Sequence, residues 1–288
     1  MREYVIFTDS ACDVSPELLS EWGVKCVPLN FRFTDSEKLY FDNEIPSKEF
    51  YDKMRGGAVA KTSALNAAEI TAAFEEALKA GQDVFYLAFS SGLSTTFNSA
   101  RIAAGELSEK YPEAKVVVAD SLCASAGQGL FLRLVCDKKA EGLSIDKLFD
   151  YVKNTTLNIC HWFTVDDLVY LKRGGRISAA AAFFGNALGI KPVLHVDDEG
   201  HLVNVAKVRG RKASILAMAD KYGETAFDKE NGLVYISHAD CIDDANFLAS
   251  LLNDRYGVKV DLITNIGTVI GAHSGPGTLA LFFVGSKR

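Results

Sequence analysis

The 288-residue sequence has no excess of basic charge: 31 Lys and Arg stand against 37 Asp and Glu, a formal net charge of −6. Broad nucleic-acid binding needs a basic face, so that class is disfavoured and no nucleic-acid partner is expected. The six cysteines (Cys12, Cys26, Cys123, Cys136, Cys160, Cys241) are never closer than 13 positions apart. That spacing excludes a C-x-x-C zinc or redox pair, and a chain this long does not need disulfide staples. His161, His195, His201, His238 and His273 show no H-x-x-x-H spacing, so no metal is expected. Neither G-x-x-x-x-G-K-[ST] nor G-x-G-x-x-G occurs, and no nucleotide cofactor is expected. The start, Met-Arg-Glu-Tyr, leads directly into an apolar run, which predicts no secretory leader and a reduced, cytoplasmic protein. Leu262 to Ser286 holds no charge over 25 residues, but Gly267, Gly271, Gly275, Pro276 and Gly277 interrupt it. Such breakers exclude a spanning helix.

What is present fits a globular chain of two domains. Hydrophobic residues make up 48% and charged residues 24%, too apolar for disorder, and the length exceeds one usual domain. Residues 1–156 carry 17 basic and 23 acidic side chains, whereas residues 157–288 carry 14 of each, so the negative balance is confined to the first part. There, apolar runs at Tyr4–Thr8, Val24–Leu29, Val84–Phe89 and Lys115–Ala119 predict strands. Helices starting near Ser15-Pro16, Asn66, Ser94, Ala124 and Ser144 alternate with them. That alternation predicts a parallel sheet covered on both faces. Residues 34–61 read as irregular, apart from one helix from a Ser47 cap to Gly56. The second part predicts a hairpin over Pro192–Val196 and Leu202–Val208, helices at Lys212–Tyr222 and Ile242–Tyr256, and strands at Leu233–Ser237, Lys259–Thr264 and Thr278–Val284. The fold class is α/β, with an N-terminal parallel-sheet domain over 1–157 and a C-terminal mixed-sheet domain over 158–288.

Open parallel sheets bind ligands beyond the carboxyl ends of their strands. The residues following the predicted strands are Thr8-Asp9-Ser10, Ser90-Ser91-Gly92, Asp120-Ser121, Ser237-His238 and Gly271-Ala272-His273-Ser274-Gly275. This inventory is rich in hydroxyls and glycine and holds no Lys or Arg. It suits one carboxylate or carbonyl and not a triphosphate, which wants Lys or Mg²⁺. Ser94, before a helix, reads either as a cap or as part of an anion site; Thr62-Ser63 has the same character. A Ser94-His273-Asp arrangement would be an acyl hydrolase, although the G-x-S-x-G elbow is missing. Leu171-Lys172-Arg173-Gly174-Gly175-Arg176-Ile177-Ser178 is either a solvated turn or a partner-docking or lid element. The small-residue segment Ala179–Ile190 is either a buried helix or room for an apolar ligand.

Together these stretches resemble the DegV family of lipid-binding proteins. The resemblance rests on FTDSACDV, KTSALN, SSGLSTTFNSA, ADSLCASAGQG, LKRGGRIS, the KVRGRKA region and IGTVIGAHSGPGTLALFF, in family order across nearly the whole chain. It implies two α/β domains with a long-chain fatty acid, such as palmitate or oleate, between them. It places carboxylate binding on Thr62, Ser94 and His273. Arg173 and Arg176 would serve docking or a lid, and Asp9, Ser10, Ser91, Asp120 and Ser121 would support the pocket. It also implies a bacterial lipid-transport role in which the ATP-binding subunit of a separate fatty-acid kinase forms the acyl phosphate. This chain would then be a non-catalytic binding subunit with no cofactor and a peripheral membrane contact. Two positions depart from the family pattern: Leu65 stands where T-S-x-P has proline, and Thr95 stands where S-S-x-L-S-G-T has glycine. A threonine at 95 is expected to narrow the backbone's approach to the carboxylate.

Overall fold

The apolar run Tyr4–Asp9 forms β1, and the following strands are β2 (Val24–Val27), β3 (Asn30–Phe33), β4 (Tyr40–Phe41), β5 (Ala60–Ser63), β6 (Asp83–Ala88) and β7 (Val116–Asp120) in the computed structural model, which describes residues 2–178, 189–286 and 288. The parallel sheet has the order β2-β1-β6-β7. Strand β6 is buried at every position, as its unbroken apolar sequence requires between two helix layers. Helices Ala67–Lys79 and Thr96–Lys110 cover one face; Ala126–Ala140 and Ile145–Thr155 cover the other. Local chemistry starts these helices. Ser15 Oγ accepts from the Leu18 amide ahead of Pro16, and Asn66 and Glu69 form a reciprocal capping box.

The region read as irregular is partly a sheet. Strands β4-β3-β5 pair antiparallel, with Phe31 opposite Thr62 and Tyr40. These strands are two to four residues long, too short for alternation to register, and they are held by packing: Phe31, Phe33, Tyr40 and Phe50 form mutual ring contacts. The nearby helix Ser47–Arg55 has Pro46 at its cap and no side-chain cap bond, so Ser47 is its first residue and not its cap.

The later strands are β8 (Ile159–Thr164), β9 (Ile190–Val196), β10 (Leu202–Arg209), β11 (Val234–His238), β12 (Leu262–Asn265) and β13 (Leu279–Val284). They form one mixed sheet, β10-β9-β8-β13-β11-β12, in which only β11 and β12 run parallel. The α/β class and the mixed second sheet agree with the sequence expectation. Strand β8 was not expected there; its six buried residues, Ile-Cys-His-Trp-Phe-Thr, lack periodicity because both faces are covered. The segment Ala179–Ile190, read either as a buried helix or as room for an apolar ligand, falls, for 179–188, outside the described residues.

Helix Ala126–Ala140 buries residues all around its first turns and is sandwiched between the two large sheets. Its core joins Ile6, Phe85 and Leu130 to Phe163, Tyr235 and Phe282, so the two parts of the chain share apolar packing. A separate core lies beyond the mixed sheet, under helices Arg211–Thr225 and Ile242–Tyr256.

Candidate functional site

A cavity opens where the carboxyl ends of the parallel strands meet the mixed sheet. It holds about 860 Å³ free of atoms, part of it continuous with solvent. Leu29, Phe89, Leu93, Phe163, Leu171, Val196, Leu202, Ile266, Val269, Ile270 and Phe282 make most of its wall apolar. Its polar lining comprises Thr62, Ser63, Ser94, Ser125, His161, Arg176, His273 and Thr278.

Thr62, Ser94 and His273 are carried by different elements. Thr62 sits on β5 and not in a cap loop. Its Oγ1 lies 2.8 Å from Nε2 of His273, which is in the last turn of helix Thr268–Ser274. Ser94 Oγ accepts from the Thr96 amide at 3.2 Å and donates to Thr96 Oγ1 at 3.0 Å. Thr96 Oγ1 accepts in turn from the Leu65 amide at 3.2 Å. Thr96 therefore ties the turn at Leu65, just after β5, to the Ser94 loop, a link that sequence spacing did not reveal.

Both departures from the family pattern have a local account. Leu65 uses the N–H that a proline would lack. Thr95 is exposed with φ −77° and ψ −2°, an ordinary right-handed conformation that needs no glycine and crowds nothing in the cavity. Thr95 is not among the residues that line the cavity.

The cavity end around His273 is not free of cations, as the strand-end inventory implied. Arg176 turns inward, donating from Nε to the Leu93 carbonyl at 3.1 Å and from Nη1 to the Gly174 carbonyl. Among the described residues no carboxylate oxygen is paired with it, and burial pulls its pKa down. His273 is held down to about 4 by burial, with the Arg176 charge adding to the effect, so the imidazole is neutral at pH 7. Its Nδ1 is buried without a hydrogen-bond partner and faces the Gly174 backbone, where a Cβ would lie 2.2 Å away. That contact explains a glycine in KRGGR: only a bare backbone fits against the ring. Arg173 parts from Arg176. It is exposed, with its guanidinium 5.6 Å from the Tyr170 ring centroid.

The residues expected as pocket support do not line the cavity. Asp9 is fully buried and accepts from Tyr86 Oη at 2.7 Å, the Phe89 amide at 2.9 Å, and the Ala11 amide and Gln128 Nε2 at 3.3 Å. Burial still raises its pKa. Ser10 Oγ accepts from the Leu29 amide, Asp120 from the amides of Ser91 and Leu122, and Ser121 Oγ from the Cys123 amide. These side chains shape the loops on which lining residues sit. His161, on β8, lines the apolar wall with Nε2 accepting from the Ala124 amide at 3.3 Å, and burial drives its pKa well below the usual value. Ser94 and His273 each bond elsewhere, so the pair a hydrolase would use is not assembled. Among the described residues no group of three or more His, Cys, Asp or Glu is placed to hold a metal ion, and no helix is long and apolar enough to cross a membrane.

The fold recurs in solved proteins. A fatty-acid-binding DegV family protein from Thermus thermophilus superposes with a TM-score of 0.88 at 30% identity, covering 99% of this chain and 100% of that one. A stearic-acid-binding protein from Eubacterium ventriosum gives a TM-score of 0.88 at 28% identity, with 98% of each chain covered. A DegV domain-containing protein from Clostridium perfringens is 42% identical over 289 residues, spanning 100% of this chain and 99% of its own. The family model described as "Uncharacterised protein, DegV family" matches residues 3–286. The chain belongs to the DegV family.

Proposed function

We propose that the chain binds one long-chain fatty acid in this cavity, with the carboxylate at the Thr62–Ser94–His273–Arg176 end and the acyl chain along the apolar wall. The observation that carries the reading is the incomplete polar set at that end. His273 Nδ1 is buried without a hydrogen-bond partner, and among the described residues the inward Arg176 guanidinium has no carboxylate beside it, at one end of an otherwise mostly apolar space. A carboxylate at that end would give Arg176 its counter-charge through charge-assisted hydrogen bonds. Burying fourteen methylenes at about 0.8 kcal/mol each would contribute on the order of 10 kcal/mol before entropic losses, so the tail sets affinity and the head group sets orientation.

The two-domain division at 157/158 belongs to this reading. Every strand of the four- and three-stranded sheets precedes it, and every strand of the six-stranded sheet follows it. The solved relatives named for fatty-acid binding support the ligand class. In the same reading the chain works in the cytoplasm and presents its fatty acid to a kinase subunit that holds ATP, docking through the exposed Arg173 with a peripheral membrane contact. Native mass spectrometry of the protein purified from cells tests the binding step. The expected result is one bound fatty acid, or uptake of added palmitate. No bound lipid and no uptake would overturn the reading.

A further inference from the structure

Asp13 belongs to the FTDSACDV stretch, yet it neither lines the cavity nor pairs with a cation. It is buried, in a left-handed conformation with φ 50° and ψ 34°. Its Oδ1 accepts from the Gly267 amide at 2.9 Å, and its Oδ2 accepts from Ser125 Oγ. Gly267 immediately precedes the helix Thr268–Ser274, which carries His273. A Cβ at Gly267 would lie 2.7 Å from Asp13 Oδ1, so the glycine is what allows this approach. Ser125 lines the cavity opposite that helix with φ 54° and ψ −148°, a region nearly restricted to glycine. Such backbone strain persists only where the surroundings fix it, and the bond to Asp13 is one of those constraints.

We propose that Asp13 is a positioning residue of the fatty-acid site: its single carboxyl fixes the Ser125 turn and the start of the His273 helix relative to each other, and so sets where His273 meets the ligand. This inference rests on the fatty-acid reading above. Its two acceptor oxygens reach parts of the chain 112 and 254 positions away, a link that neither the cavity wall nor the helix makes by itself.

Palmitate affinity in a double-mutant cycle of Asp13→Ala with His273→Ala tests the proposal. Asp13→Ala leaves the buried Gly267 amide unpaired and Ser125 Oγ with only Ser237, and should weaken palmitate roughly tenfold or more in the wild-type background. In the His273→Ala background the same change should cost less than about threefold, because the positions act through one another. Asp13→Asn should restore binding, since an amide can accept from Gly267 and donate to Ser125. Equal losses in both backgrounds, or an Asn variant as weak as the Ala variant, would overturn the proposal. If Asp13→Ala does not fold, Ser125→Ala takes its place in the cycle, and additive losses again overturn it. A wild-type protein that takes up no palmitate is a different result and overturns the fatty-acid reading itself.

Discussion

Two polar clusters lie near the ends of the parallel strands, and they differ in completeness. Around Asp9 two side-chain donors, Tyr86 and Gln128, and two amides, Ala11 and Phe89, all reach one carboxylate. Around His273 one bond to Thr62 is made, Nδ1 is without a partner, and among the described residues Arg176 has no counter-charge. Buried polar groups are normally satisfied, so the first cluster reads as architecture, and the second is the end at which we place the carboxylate. Chemical type alone does not separate them, since Asp9 is the more eye-catching residue in the sequence.

Substitutions can break that comparison at either end. Asp9→Ala should be the most damaging: stranding three buried donors, Tyr86 Oη and the Phe89 and Ala11 amides, is expected to cost about 4 kcal/mol of folding stability, measured by urea denaturation. A loss below about 1 kcal/mol would mean that this cluster does not hold the fold together.

The next effect is acid sensitivity. His273 has a folded pKa of about 4 against an ordinary 6.5, so its neutral form is favoured in the folded protein. Its contribution is therefore complete above pH 6.5 and is lost as the pH falls toward 4. At pH 5 this amounts to about 2 kcal/mol. Buried His161 is shifted in the same direction, so His273→Gln should remove only the His273 share of the difference between pH 7 and pH 5. Equal acid sensitivity in variant and wild type would contradict the burial of His273.

Arg176→Gln should weaken palmitate about tenfold, the loss of one charge-assisted contact. Thermal stability should hold or rise, because an inward cation without a carboxylate carries a desolvation penalty. Unchanged affinity would remove Arg176 from the head-group end. The smallest expected change is at Arg173. Arg173→Ala should leave palmitate affinity within about twofold, as an exposed charge usually does, while lowering acyl-phosphate formation by a fatty-acid kinase subunit. Equal loss of both would place Arg173 at the ligand.

Much of the fold was legible because its signals are local. Strands β1, β6 and β7 are continuous apolar runs, and the helix at Asn66 carries its own capping box. The hairpin β9–β10 was legible from its acidic turn, Asp197-Asp198-Glu199-Gly200. Strands β3, β4, β5 and β8 were not legible, because short or doubly covered strands carry no period. At the site, Thr62, Ser94 and His273 were named from the resemblance and all line one cavity. The roles of Thr96, Ser125 and Asp13 were hidden, since each depends on a partner remote in sequence.

By itself the sequence determined a mixed α/β chain without the usual nucleotide loops, metal spacing or basic face, and a set of hydroxyl-rich strand ends. Those properties follow from residue type and short-range spacing. Only the tertiary structure decided that Arg176 turns into the cavity while Arg173 stays outside it, and that Asp9 is saturated while His273 is not. Hydrogen-bond completeness is a property of three-dimensional neighbours. Two arginines three positions apart in one glycine-bearing turn are alike until packing gives one of them the interior.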